Sequence, residues 1–293
     1  MRAATTDDLA SCHRVWLATE PTPTATEPTL SPPRVLPLHR HELDTGRLVV
    51  ADLEGVIVGF GATLTRSGVA YVADLFVTPD HQSHGIGARL LHALLDDHDG
   101  PRFTLASTDP RARALYERFG MHPVGEYAYL RAHPNDVVPD RLDSDGVVLD
   151  VTALIDEIID IDRAVTGRDR RVDLVHAEAR LGARTFRARR NSRTVGYAQV
   201  VHPIWWSPTH PDAVRIGPII ATEQRELLTI LAAVTAEAAS LQTTSLGPFV
   251  PVGGPAYAAM IRAGFVEEDR DLLMVSDPSL VDVDRYLPAV DTA

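Results

Sequence analysis

The stretch Thr78-Pro79-Asp80-His81-Gln82-Ser83-His84-Gly85-Ile86-Gly87 constrains the fold most, because it must turn a strand into a helix within a few residues. Before it, Arg47 to Asp52, Val56 to Leu64 and Val69 to Val77 are β-rich runs. Glu54-Gly55 and Ser67-Gly68 separate them as turn signals, which predicts an antiparallel meander. After it, Ala88-Arg89-Leu90-Leu91-His92-Ala93-Leu94-Leu95 is apolar at helical spacing. Glycine lets the backbone turn tightly and lets a bulky anion approach the amides. Free N–H groups in succession at a helix start, helped by the dipole, suit a pyrophosphate. A dinucleotide site would need Gly-x-Gly-x-x-Gly within a parallel βαβ unit, and the spacing and the meander both differ. A structural turn is the plain alternative.

Around this turn the first half reads as mixed α/β. Thr6 to Thr19 has the pattern of a helix with Asp7 and Asp8 in its first turn, and Glu20 to Pro37 reads as a long Pro/Thr-rich loop. Arg102 to Ser107 is a strand, Arg111 to Phe119 a helix and Val124 to Leu130 a closing strand. The second half repeats the order more weakly. Strands are expected at Val147 to Val151, Arg184 to Ala188, Thr194 to Val201, Val214 to Ile220 and Asp269 to Val275. Helices are expected at Leu154 to Thr166, Glu223 to Ala239 and Pro255 to Ala263. With 293 residues, two units of ordinary size are expected: 1–133, a linker at 134–145, and 146–293. The fold class is α/β (α+β), each unit a mixed, mostly antiparallel twisted sheet flanked by helices.

Charge and cysteine content narrow the function. A net charge of -12, spread over both halves, argues against nucleic acid as the main partner, because phosphate contacts need clustered cations. One cysteine, Cys12, excludes an internal disulfide framework and a Cys-rich zinc site. No run approaches the ~18 apolar residues of a membrane span. The opening lacks the apolar core of a signal peptide, so a cytoplasmic protein with no membrane partner is expected.

With its surroundings, Leu75-Phe76-Val77-x-Pro79-Asp80-x-Gln82-x-x-Gly85-x-Gly87-Ala88-x-Leu90-Leu91 resembles the acyl-CoA motif of the GCN5-related N-acetyltransferase (GNAT) superfamily. Asp109-x-x-Ala112-x-x-Leu115-Tyr116-Glu117-x-Phe119-Gly120-Met121 resembles its second motif. The likeness covers roughly residues 1–130. Asp109, where the family often has Asn, and Met121, where it usually has Phe, depart from the pattern. The resemblance implies acetyl-CoA as cosubstrate, no metal, and a small-molecule amine attacking the thioester directly, in a monomer or homodimer. Backbone groups of Leu75, Phe76 and Val77 would pair with the pantetheine arm, and Gln82, Ser83, His84, Gly85, Ile86, Gly87 and Ala88 would hold the pyrophosphate. Asp109 falls at the cofactor too, where a carboxylate near phosphates is repulsive.

Two residues are then catalytic candidates. Tyr116 stands where the family places its general acid, the alternative being a core tyrosine. Asp74 is a candidate base beside the cofactor, the alternative being a partnered structural carboxylate. If its strand alternates, Asp74 shares a face with Val72 and Phe76. Glu126, Tyr127 and Tyr129 could shape the acceptor pocket. His81 and His84 flank the loop, where phosphate contact or solvent fits better than a metal. Trp205 and Trp206 suit a domain interface.

The second half looks like the second domain of some bacterial tandem acetyltransferases. Its counterpart of the glycine turn, Ala221-Thr222-Glu223-Gln224-Arg225-Glu226, has no Gly-x-Gly and puts carboxylates where a pyrophosphate would sit. Aligned on Gly264, Met260 takes the place of Tyr116. Only the first half is expected to bind CoA productively. That polarity counts against mycothiol synthase, a tandem relative whose activity belongs to the second domain. A non-catalytic acyl-CoA-binding module and a protein N-acetyltransferase are the competing readings.

Overall fold

The computed structural model describes residues 1–20, 34–138, 141–144, 146–151, 154–207 and 209–289. Most of the Pro/Thr-rich loop expected at 20–37 lies outside them. In the first half, β1 (Arg2–Ala3) and α1 (Leu9–Thr19) lead to α2 (Pro37–Thr45). The meander is β2 (Arg47–Leu53), β3 (Val56–Arg66) and β4 (Val69–Val77). Then come α3 (Ile86–Leu95), β5 (Arg102–Ser107), α4 (Pro110–Glu117) and β6 (His122–Arg131).

The second half follows the same plan. It opens with β7 (Val148–Val151), α5 (Ile159–Thr166), α6 (Arg171–Leu181), β8 (Ala183–Arg190) and β9 (Arg193–Val201). It continues with β10 (Val214–Ala221), α7 (Gln224–Ala239), β11 (Leu246–Pro251), α8 (Pro255–Arg262), β12 (Val266–Val275) and β13 (Tyr286–Leu287). No helix among the described residues is long and apolar enough to cross a membrane.

The strands form one continuous path, β1-β2-β3-β4-β5-β12-β6-β11-β10-β9-β8-β7, with β13 against β10. The order contains an exchange. β12, late in the chain, lies antiparallel to β5 of the first half, while β6 pairs with β11 of the second. β12 and β6 also pair with each other along their whole length. Each half is therefore completed by a strand of the other, and pulling the halves apart would break both outer ladders as well as the central one.

Three of the longer elements escape the sequence patterns. α2 buries His39, His41 and Glu42, so its inner face carries no apolar period. β11 contains Gly247, Pro248 and Pro251, residues that argue against a strand, yet all but its last residue are buried. α6 ends at Gly182 in the left-handed region, φ 72°, a helix stop.

α2 also joins the halves. Asp173 of α6 is buried and accepts from His41 Nε2 at 2.7 Å and from Arg66 at 2.6 and 2.8 Å. Burial alone would raise the Asp173 carboxyl; these bonds outweigh it and hold the carboxyl below its usual range. Asp173→Ala leaves Arg66 facing a buried gap and is expected to cost about 3–5 kcal/mol, read as a lowered denaturation midpoint. An unchanged midpoint would show that this pair does not hold α2 in place. Trp206 packs in a cluster holding Leu38 of α2 with Leu181 and Ile204, at the junction of the halves, and Trp205 is exposed at its edge.

Candidate active site

β4 pairs with β3 over its full length but with β5 only through Ala70–Val72 opposite Arg102–Thr104. Beyond Val72 the two parallel strands part. The wedge leaves the β5-facing backbone edge of Asp74, Leu75, Phe76 and Val77 without a strand, and an edge of this kind pairs readily with an extended polyamide.

A register shift lies between Ala62 and Thr63, which face Asp74 and Val72, so Ala73 is an extra residue in β4. The bulge corrects the simple alternation expected for this strand. Val72 packs on the α3 side with Leu75 and Val77, while Phe76 turns to the opposite side with α1. Asp74 follows Phe76 and meets His39 of α2, Oδ2 to Nε2 at 3.4 Å.

The turn after β4 has the geometry of an anion cradle. Ser83 (φ 63°) and Gly85 (φ 76°) are left-handed, and a Cβ on Gly85 would meet nothing. Among the described residues, the amides of Ser83, His84, Gly85, Ile86, Gly87 and Ala88 donate to no backbone carbonyl. The first such bond of the helix is Arg89 N–H to Gly85 O at 3.1 Å. These six amides lie at the positive end of α3, where an anion is favoured. Gln82 braces the turn from behind, its side-chain amide donating to Val77 O at 3.1 Å. His84 Nδ1 lies 2.7 Å from Gln82 O and His81 Nδ1 lies 2.9 Å from the Thr78 hydroxyl, so both rings are held within the loop.

Tyr116, near the end of α4, is buried under α3 beside the wedge. Burial pushes its phenol well above the usual range. The Thr104 hydroxyl acts the other way, and the Asp271 and Asp74 carboxylates add to the rise. A phenol so placed keeps its proton at neutral pH. Asp109 caps α4. Its carboxylate accepts from Arg111 N–H at 2.8 Å and from the Arg111 guanidinium at 2.6 and 3.0 Å, which keeps its pKa low and offsets its charge toward any neighbouring phosphate.

The opposite side of the sheet carries groups the sequence did not point to. His39 is buried against Phe60, ring centroids 5.1 Å apart, and its Nδ1 has no hydrogen-bond partner. His39, Glu42 and Asp74 each bring one donor atom within 4.8 Å of the others, a set a divalent cation could use. Asp271 of the exchanged β12 accepts from Tyr129 Oη at 2.7 Å. Of these, only Asp74 and Tyr129 are expected from the sequence. Asp271 could not be placed because nothing along the chain shows that β12 crosses over.

The second half has the same wedge and fills it. β10 pairs with β11 only through Val214–Ile216. Where the strands part, β13 adds to β10, Ile219 opposite Leu287 and Ile220 opposite Tyr286. The chain's own strand thus lies where the first half leaves an edge open. At the start of α7, Glu226 is buried and paired with Arg190 and Arg225. Met260 is fully buried in the core.

The first half thus combines an open β4 edge, a run of amides without backbone partners and a buried phenol. Residues 9–121 match the acetyltransferase (GNAT) family model. A mycothiol acetyltransferase of Amycolatopsis mediterranei is 35% identical over 128 residues, 42% of this chain and 41% of that protein. The match therefore spans less than half of this curated relative. A solved Pyrococcus horikoshii chain described as a candidate acetyltransferase superposes over 100% of this chain and 95% of its own, with a TM-score of 0.72 at 19% identity. A tandem GNAT protein from the clavulanic acid biosynthesis pathway covers 94% of this chain and 98% of its own, with a TM-score of 0.58 at 16% identity. At these identities the structural matches speak for the fold alone.

Proposed function

We propose that the protein is an acetyl-CoA-dependent N-acetyltransferase that acts on the primary amine of a small molecule, with acetyl-CoA bound by the first half. The observation that carries this reading is the pairing of an open β4 edge with the six free amides of residues 83–88. Leu75 to Val77 would pair with the pantetheine amides and the cradle would bind the diphosphate. The acetyl carbonyl would then lie at the mouth of the wedge near Tyr116. The amine attacks the carbonyl carbon, the C–S bond breaks, and Tyr116 supplies a proton to the departing sulfur. Asp74, held by His39, faces the acceptor side.

Free CoA released from acetyl-CoA in the presence of an amine panel tests the reading. Amine-dependent release by wild type is expected, and an unchanged rate in Glu223→Gln, an exposed residue at the start of α7. No release with any amine, or loss on Glu223→Gln, would contradict it. A second reading of the acceptor comes from the relative named mycothiol acetyltransferase. The acceptor that this name implies belongs in the same panel and is supported if it alone releases CoA.

A further inference from the structure

β12 reaches the first half as an exchanged strand between β5 and β6. In register, Asp271 stands opposite Ser107, the last residue of β5, and opposite Tyr127 of β6. β4 has already left β5 at Thr104, so Asp271 stands beside the open end of the wedge. The carboxylate is half-buried, accepts from Tyr129 Oη at 2.7 Å, and forms no ion pair among the described residues. Asp74 lies 3.4 Å from His39 Nε2.

We propose that Asp271 takes the proton of the acceptor's ammonium group, so that the catalytic site of the first half is completed by a strand of the second; this rests on the acyl-transfer reading above. The ammonium gives one proton to the Asp271 carboxylate and becomes a free amine. The amine nitrogen bonds to the acetyl carbon, and the C–S bond breaks. The proton then shed by the new amide nitrogen reaches the sulfur by way of Tyr116, which gives its own proton and regains one. Asp271 releases its proton to solvent. Acetyl-CoA and an ammonium thus yield an N-acetyl amide, free CoA and one proton.

The surroundings suit this task. Burial raises the Asp271 carboxyl to about 6; the Tyr129 bond pulls it down and the Asp269 carboxylate pushes it up. The titratable groups facing it are Tyr129 of β6 with Tyr71 of β4 behind it, Asp269 of its own strand, and Tyr116 of α4, which also feels Asp74. Such a carboxylate is ionised at neutral pH and more basic than an exposed one, as a base near its working pH should be.

The full chain is assayed with the best amine of the panel across pH. In wild type, kcat/KM is expected to rise through about pH 6, as the carboxylate ionises. Asp271→Asn should lose that limb and about 100-fold or more in kcat while still binding acetyl-CoA. Tyr129→Phe, which removes a bond favouring the ionised form, should keep the limb and move it to higher pH. The Tyr129→Phe shift carries the test if Asp271→Asn does not fold. Asp271→Asn turnover within twofold of wild type with the limb in place overturns the proposal, as does a Tyr129→Phe limb that stays put. If wild type turns over no amine although acetyl-CoA binds, the acyl-transfer reading falls and the proposal with it.

Discussion

Tyr116→Phe lowers turnover by ~10²–10⁴-fold while acetyl-CoA affinity stays within a few-fold of wild type, the split expected when a proton donor is lost. The substitution is mild for the fold. The ring stays buried, and the Thr104 hydroxyl beside it keeps its bond to Val72 O at 2.8 Å. What goes is the phenol proton of a buried side chain. Rates measured against saturating amine, with acetyl-CoA affinity from calorimetry, separate the two effects. Turnover unchanged by the substitution would make Tyr116 a core residue and leave sulfur protonation to solvent.

Gly85→Glu abolishes acetyl-CoA binding, raising Kd at least about 100-fold, or ~2.7 kcal/mol. Two costs act together. The residue sits at φ 76°, where a side chain costs roughly 1–2 kcal/mol. The new carboxylate also projects into the open space over the cradle, opposing any phosphate there. Because nothing lies within contact of that Cβ, the fold should survive, its denaturation midpoint lowered by that backbone strain alone. Calorimetry that found acetyl-CoA affinity intact would show that the diphosphate does not sit on residues 83–88.

Much of this site was legible because it is local. The glycines and free amides of the turn, the flanking strand and the apolar helix lie in one unbroken stretch, Val69 to Leu95, and Tyr116 follows in a second compact motif. The missing Gly-x-Gly after β10 was equally visible, though not that β13 fills the second wedge. What stayed hidden is non-local. α2 buries histidines and a glutamate, so no apolar period marks it, yet it brings His39 to Asp74 and His41 to Asp173. The bulge at Ala73 moved Val72 to the far side from Asp74, an irregularity a strict two-residue period cannot register. The exchange of β6 and β12 was least visible. Both strands suit a partly covered antiparallel position, so pattern alone does not choose between closing one's own half and closing the other.

The decisive measurement is a crystal structure of the full chain with acetyl-CoA. The account predicts diphosphate density against the amides of Ser83 to Ala88, the pantetheine arm along Leu75 to Val77 and the thioester between Tyr116 and Asp271, with β13 still seated on β10. Acetyl-CoA lodged in place of β13, or bound away from the β4 edge, would contradict it.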